Sequence, residues 1–536
     1  MVTDSRKHAA EEKIYEGLSP FELKDKLAAL AKRNHAQMMV NAGRGNPNWV
    51  ATAPREAFFL FGSFAIKEGL GVMSRPGMAG EPETAGSGER LLTFCNIHSE
   101  HTGSRFLIDA YNYITNKMGL DGDSFVGEMA DAILGDHYPM PDRVLKNTQK
   151  IVRAYLVEAM CNSNPPQDTM DVFLTEGGTA AMTYIFNSLK ENNLLKAGDS
   201  IAIGTPIFSP YLEIPPLDDY QLESVYLRMD ESMGWQYPDS ELEKLKDPAV
   251  KAFFLVNPSN PPSISISDET LKKIAALVEN ERKDLIILTD DVYSSFVNSF
   301  TSLATIAPRN TVLVYSYSKY FGCTGWRLGV IGIYKNNVID EMIAAQSREE
   351  HQGLHKRYES IATEPEKIKF IDRLVADSRA VALNHTAGLS TPQQVMMVFF
   401  SLAELMDSEF HLYKKEAQAI VRERYHALYE GIGIPAPDVD STYAHYYTTI
   451  DIKELARQRY GDAFAEWLRE QHEPIDFVWR LAEEKDVVLM DGGGFAAPDM
   501  SVRVSLANLH TPEYTTIGKA ISELLEEYKL SWDAGE

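Results

Sequence analysis

The 536-residue sequence is poor in cysteine, has no long apolar run and carries no excess of positive charge. Its three cysteines, Cys95, Cys161 and Cys323, lie far apart and show no Cys-x-x-Cys spacing. Three cannot all pair, so neither a disulfide framework nor a zinc site is indicated, and each reads as a buried or half-buried thiol. The longest apolar run, Val395 to Phe400, is far shorter than the roughly 20 residues of a membrane-spanning helix. The first residues, MVTDSRKHAAEEKIYEG, contain no apolar core of signal-peptide length, so the expectation is a soluble cytoplasmic protein with no membrane partner. With 52 Lys and Arg against 77 Asp and Glu, the formal net charge is −25. Such a chain repels a phosphate backbone, and nucleic acid is not expected as a partner. No basic helix-turn-helix precedes residue 125, which argues against a ligand-sensing transcription regulator. No Walker A loop and no metal-ligand cluster stand out; Gly492-Gly493-Gly494 runs into Phe495 without a helix start and reads as a loop near the active site.

What is present is an α/β pattern in a chain long enough for two to four domains of roughly 100 to 200 residues. The first 40 residues read as helical, with Leu18, Phe21, Leu23, Leu27 and Leu30 among charged neighbours. Residues 63–123, which include RPGMAGEPETAGSGERL, read as an insertion of mobile loops around short helices. Beyond Asp168, short apolar runs alternate with amphipathic stretches of helical length. The predicted buried strands are DVFL (171–174), SIAIG (200–204), AFFLV (252–256), LIILT (285–289), TVLVYS (311–316) and VIGIY (330–334).

Ligands of open α/β sheets collect at the carboxyl ends of strands, and each of these ends carries an unusual residue. DVFL is followed by Gly177 and Gly178, which open a helix near Thr179 and offer free backbone N–H groups and a partial positive charge to a phosphate. Such a turn is also a plain strand-to-helix connector. SIAIG leads to Phe208, a stacking platform or a core aromatic. AFFLV leads to NPSNPP, where prolines fix the backbone around Asn260, an amide aimed at the edge or a capping residue. LIILT is followed by Asp290, whose carboxylate needs a cationic or donor partner so close to an apolar strand. TVLVYS delivers Ser316 and Lys319, with Arg327 eight residues further on. A lysine at the lip of a sheet forms a Schiff base with an aldehyde when desolvation or a nearby cation keeps its amine neutral. Arg327, Ser316 and the helix start at Gly178 and Thr179 suit a dianionic phosphate. Asp290 suits a ring nitrogen, Asn260 and Tyr293 a ring hydroxyl, and Phe208 a ring face. These are the parts of a pyridoxal 5′-phosphate site.

The motifs NPSNPP, TDDVY, SYSKYFGCTGWRLG and VRVSLAN, in that order between Asp168 and Leu509, resemble those of the fold-type I pyridoxal-phosphate enzymes of the aspartate aminotransferase family. The resemblance implies a large domain with a mostly parallel sheet flanked by helices plus a smaller α/β domain. Expected boundaries are 1–125 for the N-terminal segment with its insertion, part of the small domain, 126–395 for the large domain, and 396–536 for the C-terminal small domain. It implies Lys319 as the lysine that carries the cofactor and Asp290 as the ring-nitrogen partner. Asn260 and Tyr293 fall to the ring oxygen, and Gly178, Thr179, Ser316 and Arg327 to the phosphate. By the same resemblance Arg503 clamps the substrate α-carboxylate, together with Asn260. Tyr138 in GDHYPMPD matches a tyrosine given to the neighbouring subunit's phosphate, and NAGRGNPNW (Asn41 to Trp49) matches the glycine segment over the substrate, with Gly45.

The departures narrow the reading. Asn260-Pro261-Pro262-Ser263 stands where most members have Asn-Pro-Thr-Gly, and Phe208 replaces the ring-stacking tryptophan of aspartate aminotransferases. The chain exceeds an ordinary aminotransferase by extra segments at 63–125 and Asn336 to Asn384. Those segments and Arg44 resemble the bacterial aspartate β-decarboxylases, large oligomeric relatives of the aminotransferases. That resemblance implies conversion of L-aspartate to L-alanine and CO2, with slow transamination as a side reaction and 2-oxo acids as reactivators. It also implies a homo-oligomer built from dimers, up to a dodecamer. An aminotransferase without decarboxylase activity shares every cofactor residue, and a lyase or synthase acting on another amino acid shares the fold; product analysis and a substrate panel separate them.

Overall fold

The computed structural model describes residues 9–34, 39–162, 164–379, 387–438 and 442–535. Its centre is a seven-stranded sheet built from β1 (Met170–Thr175), β2 (Ser200–Thr205), β3 (Glu223–Arg228), β4 (Val250–Val256), β5 (Ile286–Asp290), β6 (Thr311–Ser316) and β7 (Gly329–Tyr334). The order is β1-β7-β6-β5-β4-β2-β3; β7 runs antiparallel to both neighbours and the remaining pairs are parallel. Six strands are the six predicted runs. The seventh, β3, was not predicted: ESVYLR is an edge strand of which only Leu227 is buried, so it lacks the continuous apolar signature. β6 and β7 are buried along their whole length, as strands covered on both faces must be.

Helices cover the sheet for readable reasons. Asp268–Asn280 starts at Ser267, whose side chain accepts from the Thr270 N–H, carries Asp268 and Glu269 in its first turn, and buries Leu271, Ile274, Leu277 and Val278 on one face. A second, antiparallel sheet comprises β8 (Tyr447–Asp451), β9 (Met490–Asp491) and β10 (Ser501–Ser505), with β10 in the middle. The chain near the N-terminus joins this unit: Pro20–Asn34 packs on Asp476–Lys485, and Val40–Asn41 pairs in parallel with Val487–Val488.

The insertion is ordered helix, which corrects the expectation of mobile loops. Ala53–Val72, Ser87–Ile97, Thr102–Asn112 with its π-helical continuation Tyr113–Lys117, and Gly122–Leu134 pack on one another, and Ala53–Val72 and Gly122–Leu134 also pack on Thr391–Met406. Its glycines are contact points. A Cβ at Gly103 would stand 2.6 Å from the backbone nitrogen of Ala57, so the two helices cross there. Only the hairpin Ser74–Arg75/Met78–Ala79 and its flanks keep the exposed, loop-like character that the composition suggested.

The second extra stretch contains helices Val338–Ala344, Arg348–Tyr358 and Phe370–Asp377. Asp377 pins it to the sheet layer by accepting from Ser188 (2.6 Å), Tyr358 (2.9 Å) and Arg357 (3.0 Å). The last residues of that predicted stretch, 380–384, lie outside the described residues. The run Val395 to Phe400 is fully buried inside Thr391–Met406. Among the described residues no helix is long and apolar enough to cross a membrane. All three cysteines are buried free thiols.

Candidate active site

The carboxyl ends of the parallel strands open into a cavity of about 180 Å³. Gly178, Thr179, Phe208, Asn260, Asp290, Tyr293, Ser316, Lys319 and Arg327 all line it, together with Tyr211, Val256, Val292, Ser318 and Thr324. Sequence positions up to about 150 residues apart thus meet because each follows a strand of one sheet.

At one end the turn after β1 brings Gly177 and Gly178 to the start of helix Gly178–Glu191. Gly177 has φ +100°, and a Cβ there would lie 2.2 Å from Nη2 of Arg327. No side-chain-bearing residue fits this position, which lets the guanidinium lie against the turn and donate to the Glu176 carbonyl (3.2 Å) while Nη1 donates to that of Thr324 (2.9 Å). Ser316 donates to Ser318 Oγ (3.0 Å) beside them. This end offers N–H groups, hydroxyls and a cation, and Asp290 is the one acidic residue of the cavity lining.

At the other end Asp290 is buried. Its Oδ2 accepts from the Tyr211 hydroxyl (2.7 Å) and its Oδ1 from the Val292 N–H (3.2 Å). Burial pushes its pKa up to about 6, against the opposing effect of those two donors and of Lys319. The adjacent Asp291 does not line the cavity; it accepts from Thr289 (2.5 Å), and burial pushes it up to about 7. The structure thereby separates the two carboxylates of TDDVY into one that faces the cavity and one that serves the framework. Phe208 sits at the rim and meets Tyr211 edge to face, with ring centroids 5.2 Å apart.

Between the ends, Lys319 Nζ donates to the Gly45 carbonyl (2.9 Å), and the Tyr446 hydroxyl donates to the same oxygen (2.9 Å). Gly45 is held there by its segment: Asn508 donates to the Asn41 carbonyl (2.7 Å), Arg424 to the Asn48 side chain (2.7 Å) and Trp49 Nε1 to the Tyr320 carbonyl (3.2 Å). Asn260 donates to the Tyr293 hydroxyl (3.4 Å) and accepts from Arg503 Nη1 (3.4 Å). Arg503 is 1% exposed, its guanidinium 4.4 Å from the Tyr447 ring centroid and 4.6 Å from that of Phe495, the residue after the glycine triplet. Nη2 reaches the Gly43 carbonyl (3.2 Å), Nε has no partner, and no carboxylate among the described residues lies within ion-pair distance. A buried cation with unused donors is a ready-made receptor for a carboxylate.

Four expected positions are not among the lining residues: Gly45 and Arg503 adjoin them through Lys319 and Asn260, and two lie apart. Tyr138 is 65% exposed and outside the cavity, and the Arg44 side chain is exposed and also outside the lining. Sequence reasoning missed Tyr211, Tyr446 and Tyr447. Their only signal is the tyrosine density of TYAHYYTTI and the tyrosine of TPIFSPY, which carries no mark of charge or spacing. It also missed the surface group Glu81, Asp131 and His137, whose ligand atoms lie within 4.8 Å of one another; His137 Nδ1 sits 2.7 Å from Asp131, an ordinary exposed ion pair.

The donor set fits pyridoxal phosphate: an anion cradle that a Cβ at Gly177 would fill, a lysine, a buried carboxylate, and an amide and phenol 3.4 Å apart that suit a ring hydroxyl. Known proteins agree. Residues 155–521 match the family described as Aminotransferase class I and II. A Pseudomonas protein named bifunctional aspartate aminotransferase and L-aspartate beta-decarboxylase is 48% identical over 518 residues, covering 96% of this chain and 97% of its own. An aspartate aminotransferase of Pyrococcus horikoshii is 30% identical over 175 residues, covering 32% of this chain and 42% of its own. Among solved structures, a double mutant of Thermus thermophilus aspartate aminotransferase superposes with TM-score 0.59 at 16% identity, covering 95% of this chain and 96% of the other. The Pyrococcus horikoshii aromatic aminotransferase gives 0.58 at 18%, covering 94% and 100%. The fold is therefore that of aspartate aminotransferase, fold type I. A full-length relative and a matching site leave one conclusion: the chain is a pyridoxal-phosphate-dependent member of the class I and II aminotransferase family.

Proposed function

We propose that the protein converts L-aspartate to L-alanine and CO2, with aspartate aminotransferase activity as a secondary reaction, in the cytoplasm and as a homo-oligomer built from dimers. The observation that carries the reading is the Pseudomonas relative, which matches almost the whole chain, whereas the Pyrococcus aspartate aminotransferase matches about a third of it.

Bound pyridoxal phosphate supplies an aldehyde that condenses with amines and a cationic ring that draws electrons from the bond being broken. The chain's own residues supply the rest. Gly178, Thr179, Ser316 and Arg327 hold the phosphate; Asp290 keeps a proton on the ring nitrogen; Asn260 and Tyr293 bind the ring oxygen; Phe208 covers the ring. Lys319 would hold the aldehyde and would move the proton at the substrate Cα. Arg503 and Asn260 orient the substrate α-carboxylate. Fixing that group leaves the side-chain carboxylate unclamped, and CO2 departs more easily from a carboxylate that is not locked in a bidentate pair. Arg44 and Gly45 close the substrate side, and Tyr138 reaches the phosphate of a neighbouring subunit. The test is to supply the purified protein with pyridoxal phosphate and L-aspartate but no keto acid. Many turnovers of alanine with matching CO2 support the reading. Oxaloacetate limited to about one equivalent per site, with turnover restored by 2-oxoglutarate, makes the protein an aminotransferase alone.

A further inference from the structure

Residues 492–495, the glycine triplet and Phe495, lie in the connection between β9 and β10, whose antiparallel pairing sets Met490 opposite Arg503. The connection passes through a narrow gap: a Cβ at Gly492 would collide with the Ser501 hydroxyl, and one at Gly494 with the Pro20 ring. The turn closes with the Phe495 N–H donating to the Gly492 carbonyl (2.9 Å), and Phe495 points inward, fully buried. Its own carbonyl accepts from the Ile207 N–H (3.0 Å), one residue before Phe208 of the cavity lining. Its ring centroid lies 4.6 Å from the Arg503 guanidinium, and that of Tyr447 lies 4.4 Å away. The polar contacts of the same guanidinium are loose. Nη1 reaches Asn260 at 3.4 Å and Nη2 the Gly43 carbonyl at 3.2 Å; Nη2 also meets the sulfur of Met490, a weak acceptor, at 2.7 Å, and Nε has no partner. Such long hydrogen bonds hold a side chain weakly, whereas a flat cation keeps its attraction to a ring only while it stays over the face.

Resting on the assignment of Arg503 to the substrate α-carboxylate, we propose that Phe495 is the positioning residue of that arginine: its ring, with that of Tyr447, covers the guanidinium so that the fork keeps one orientation and offers its free donors to a carboxylate. A buried arginine without an acidic neighbour can satisfy its N–H groups in other ways, among them by turning to the carbonyls around it. Every such conformer is unable to make the two-pronged pair with substrate, and the apparent affinity falls in proportion to the fraction that remains receptive. The ring contact belongs to the receptive conformer with and without substrate. It therefore raises that fraction without competing with the carboxylate, which approaches the edge of the guanidinium and not its face. Glycine at 492 and 494 is what lets the chain pass between Ser501 and Pro20 and deliver the ring. Through Ile207 the same turn also ties the carboxylate receptor to the segment that carries Phe208.

The experiment is calorimetric titration of succinate, a dicarboxylate without an amine, into the protein loaded with pyridoxal phosphate, for the wild type, Phe495→Leu, Arg503→Lys and the double variant. Leucine keeps the apolar filling and removes the ring face. Phe495→Leu should weaken binding about tenfold in the wild-type background and less than about threefold in Arg503→Lys, because an ammonium has no plane to hold. With L-aspartate the loss should fall on KM and leave kcat nearly unchanged, since the α-carboxylate is bound alike in substrate and transition state. An equal loss in both backgrounds, or none in the first, overturns the proposal. Where Phe495→Leu fails to fold, phenylalanines carrying one, two or three ring fluorines at position 495 preserve the shape and weaken the ring face. Succinate affinity should then fall with each fluorine, and an unchanged affinity overturns the proposal equally. Binding that survives intact in Arg503→Ala overturns instead the arginine assignment underneath.

Discussion

The two walls of the cavity are built in different ways. The sheet wall takes Gly178, Asn260, Asp290, Ser316 and Lys319 from the ends of successive strands, each within a few residues of a buried apolar run. The facing wall stands behind the lining: Gly45, Tyr447 and Arg503 touch the lining residues Lys319, Tyr293 and Asn260, Tyr446 shares the Gly45 carbonyl, and all come from segments that meet only through tertiary packing; Lys319 and Gly45 are 274 positions apart, and Tyr446 and Gly45 are 401 apart. The first wall gathers the lysine, carboxylate, amide and hydroxyl that suit cofactor chemistry, the second a buried arginine among aromatic rings. A strand edge announces its residues by periodicity, whereas a wall assembled across the chain does not.

The contrast can be broken hardest at Lys319. Replacing it by alanine should remove the absorbance of the lysine-bound form of the cofactor, the borohydride-reducible adduct and all turnover; survival of any of these would displace the sheet wall from the chemistry. On the facing wall, Arg503→Ala should cost about 4 kcal/mol in kcat/KM, about a thousandfold, because a buried partner for the substrate carboxylate is lost. Steady-state kinetics with L-aspartate checks this, and Arg503→Lys should recover only part, since an ammonium cannot supply a bidentate fork.

Asp290 sharpens the comparison through stability. Its folded pKa, raised to about 6, exceeds the unfolded value, so the folded cofactor-free protein binds the extra proton and loses stability as pH rises from about 4 to 6. Asp290→Asn has no such slope. Denaturant unfolding should show the cofactor-free variant gaining on the wild type through that window by up to about 3 kcal/mol, while cofactor binding and turnover fall. The smallest effect is expected at Tyr138, where Tyr138→Phe should weaken cofactor affinity by about 1 kcal/mol, a few-fold, in equilibrium dialysis.

How far the sequence was legible follows the same division. DVFL, SIAIG, AFFLV, LIILT, TVLVYS and VIGIY are strands because both faces of a covered sheet must be apolar, a pattern visible in the chain itself. ESVYLR escaped because an edge strand with one buried side chain has no such constraint. The glycines of 63–123 were misread because composition cannot tell a loop glycine from one at a helix contact: Gly88 and Gly122 both press on the ring of Tyr111, where a Cβ would stand 2.6 and 2.5 Å from its hydroxyl. In the site, nine cavity-lining residues were readable from motifs that each follow a strand. Tyr447 was not, because its contacts with Tyr293 and Arg503 arise from tertiary packing that leaves no mark on the local sequence.

The buried Arg503 without an acidic neighbour has a kinetic consequence. Lys319 and Arg327 line the cavity with Asp290 as its one carboxylate, and Arg503 adjoins it through the lining Asn260, in a chain whose net charge is −25. With cofactor bound as proposed, its phosphate takes up Arg327 and its aldehyde Lys319, which leaves Arg503 as the local attractive well for an anion in an electronegative body. For the proposed reaction the well also acts as a clock. Aspartate enters as an anion and alanine leaves as a zwitterion, so the chemical step erases the charge that brought the substrate in, and release of product is favoured by the same electrostatics that favoured capture. Added salt should therefore slow the capture of aspartate more than the departure of alanine.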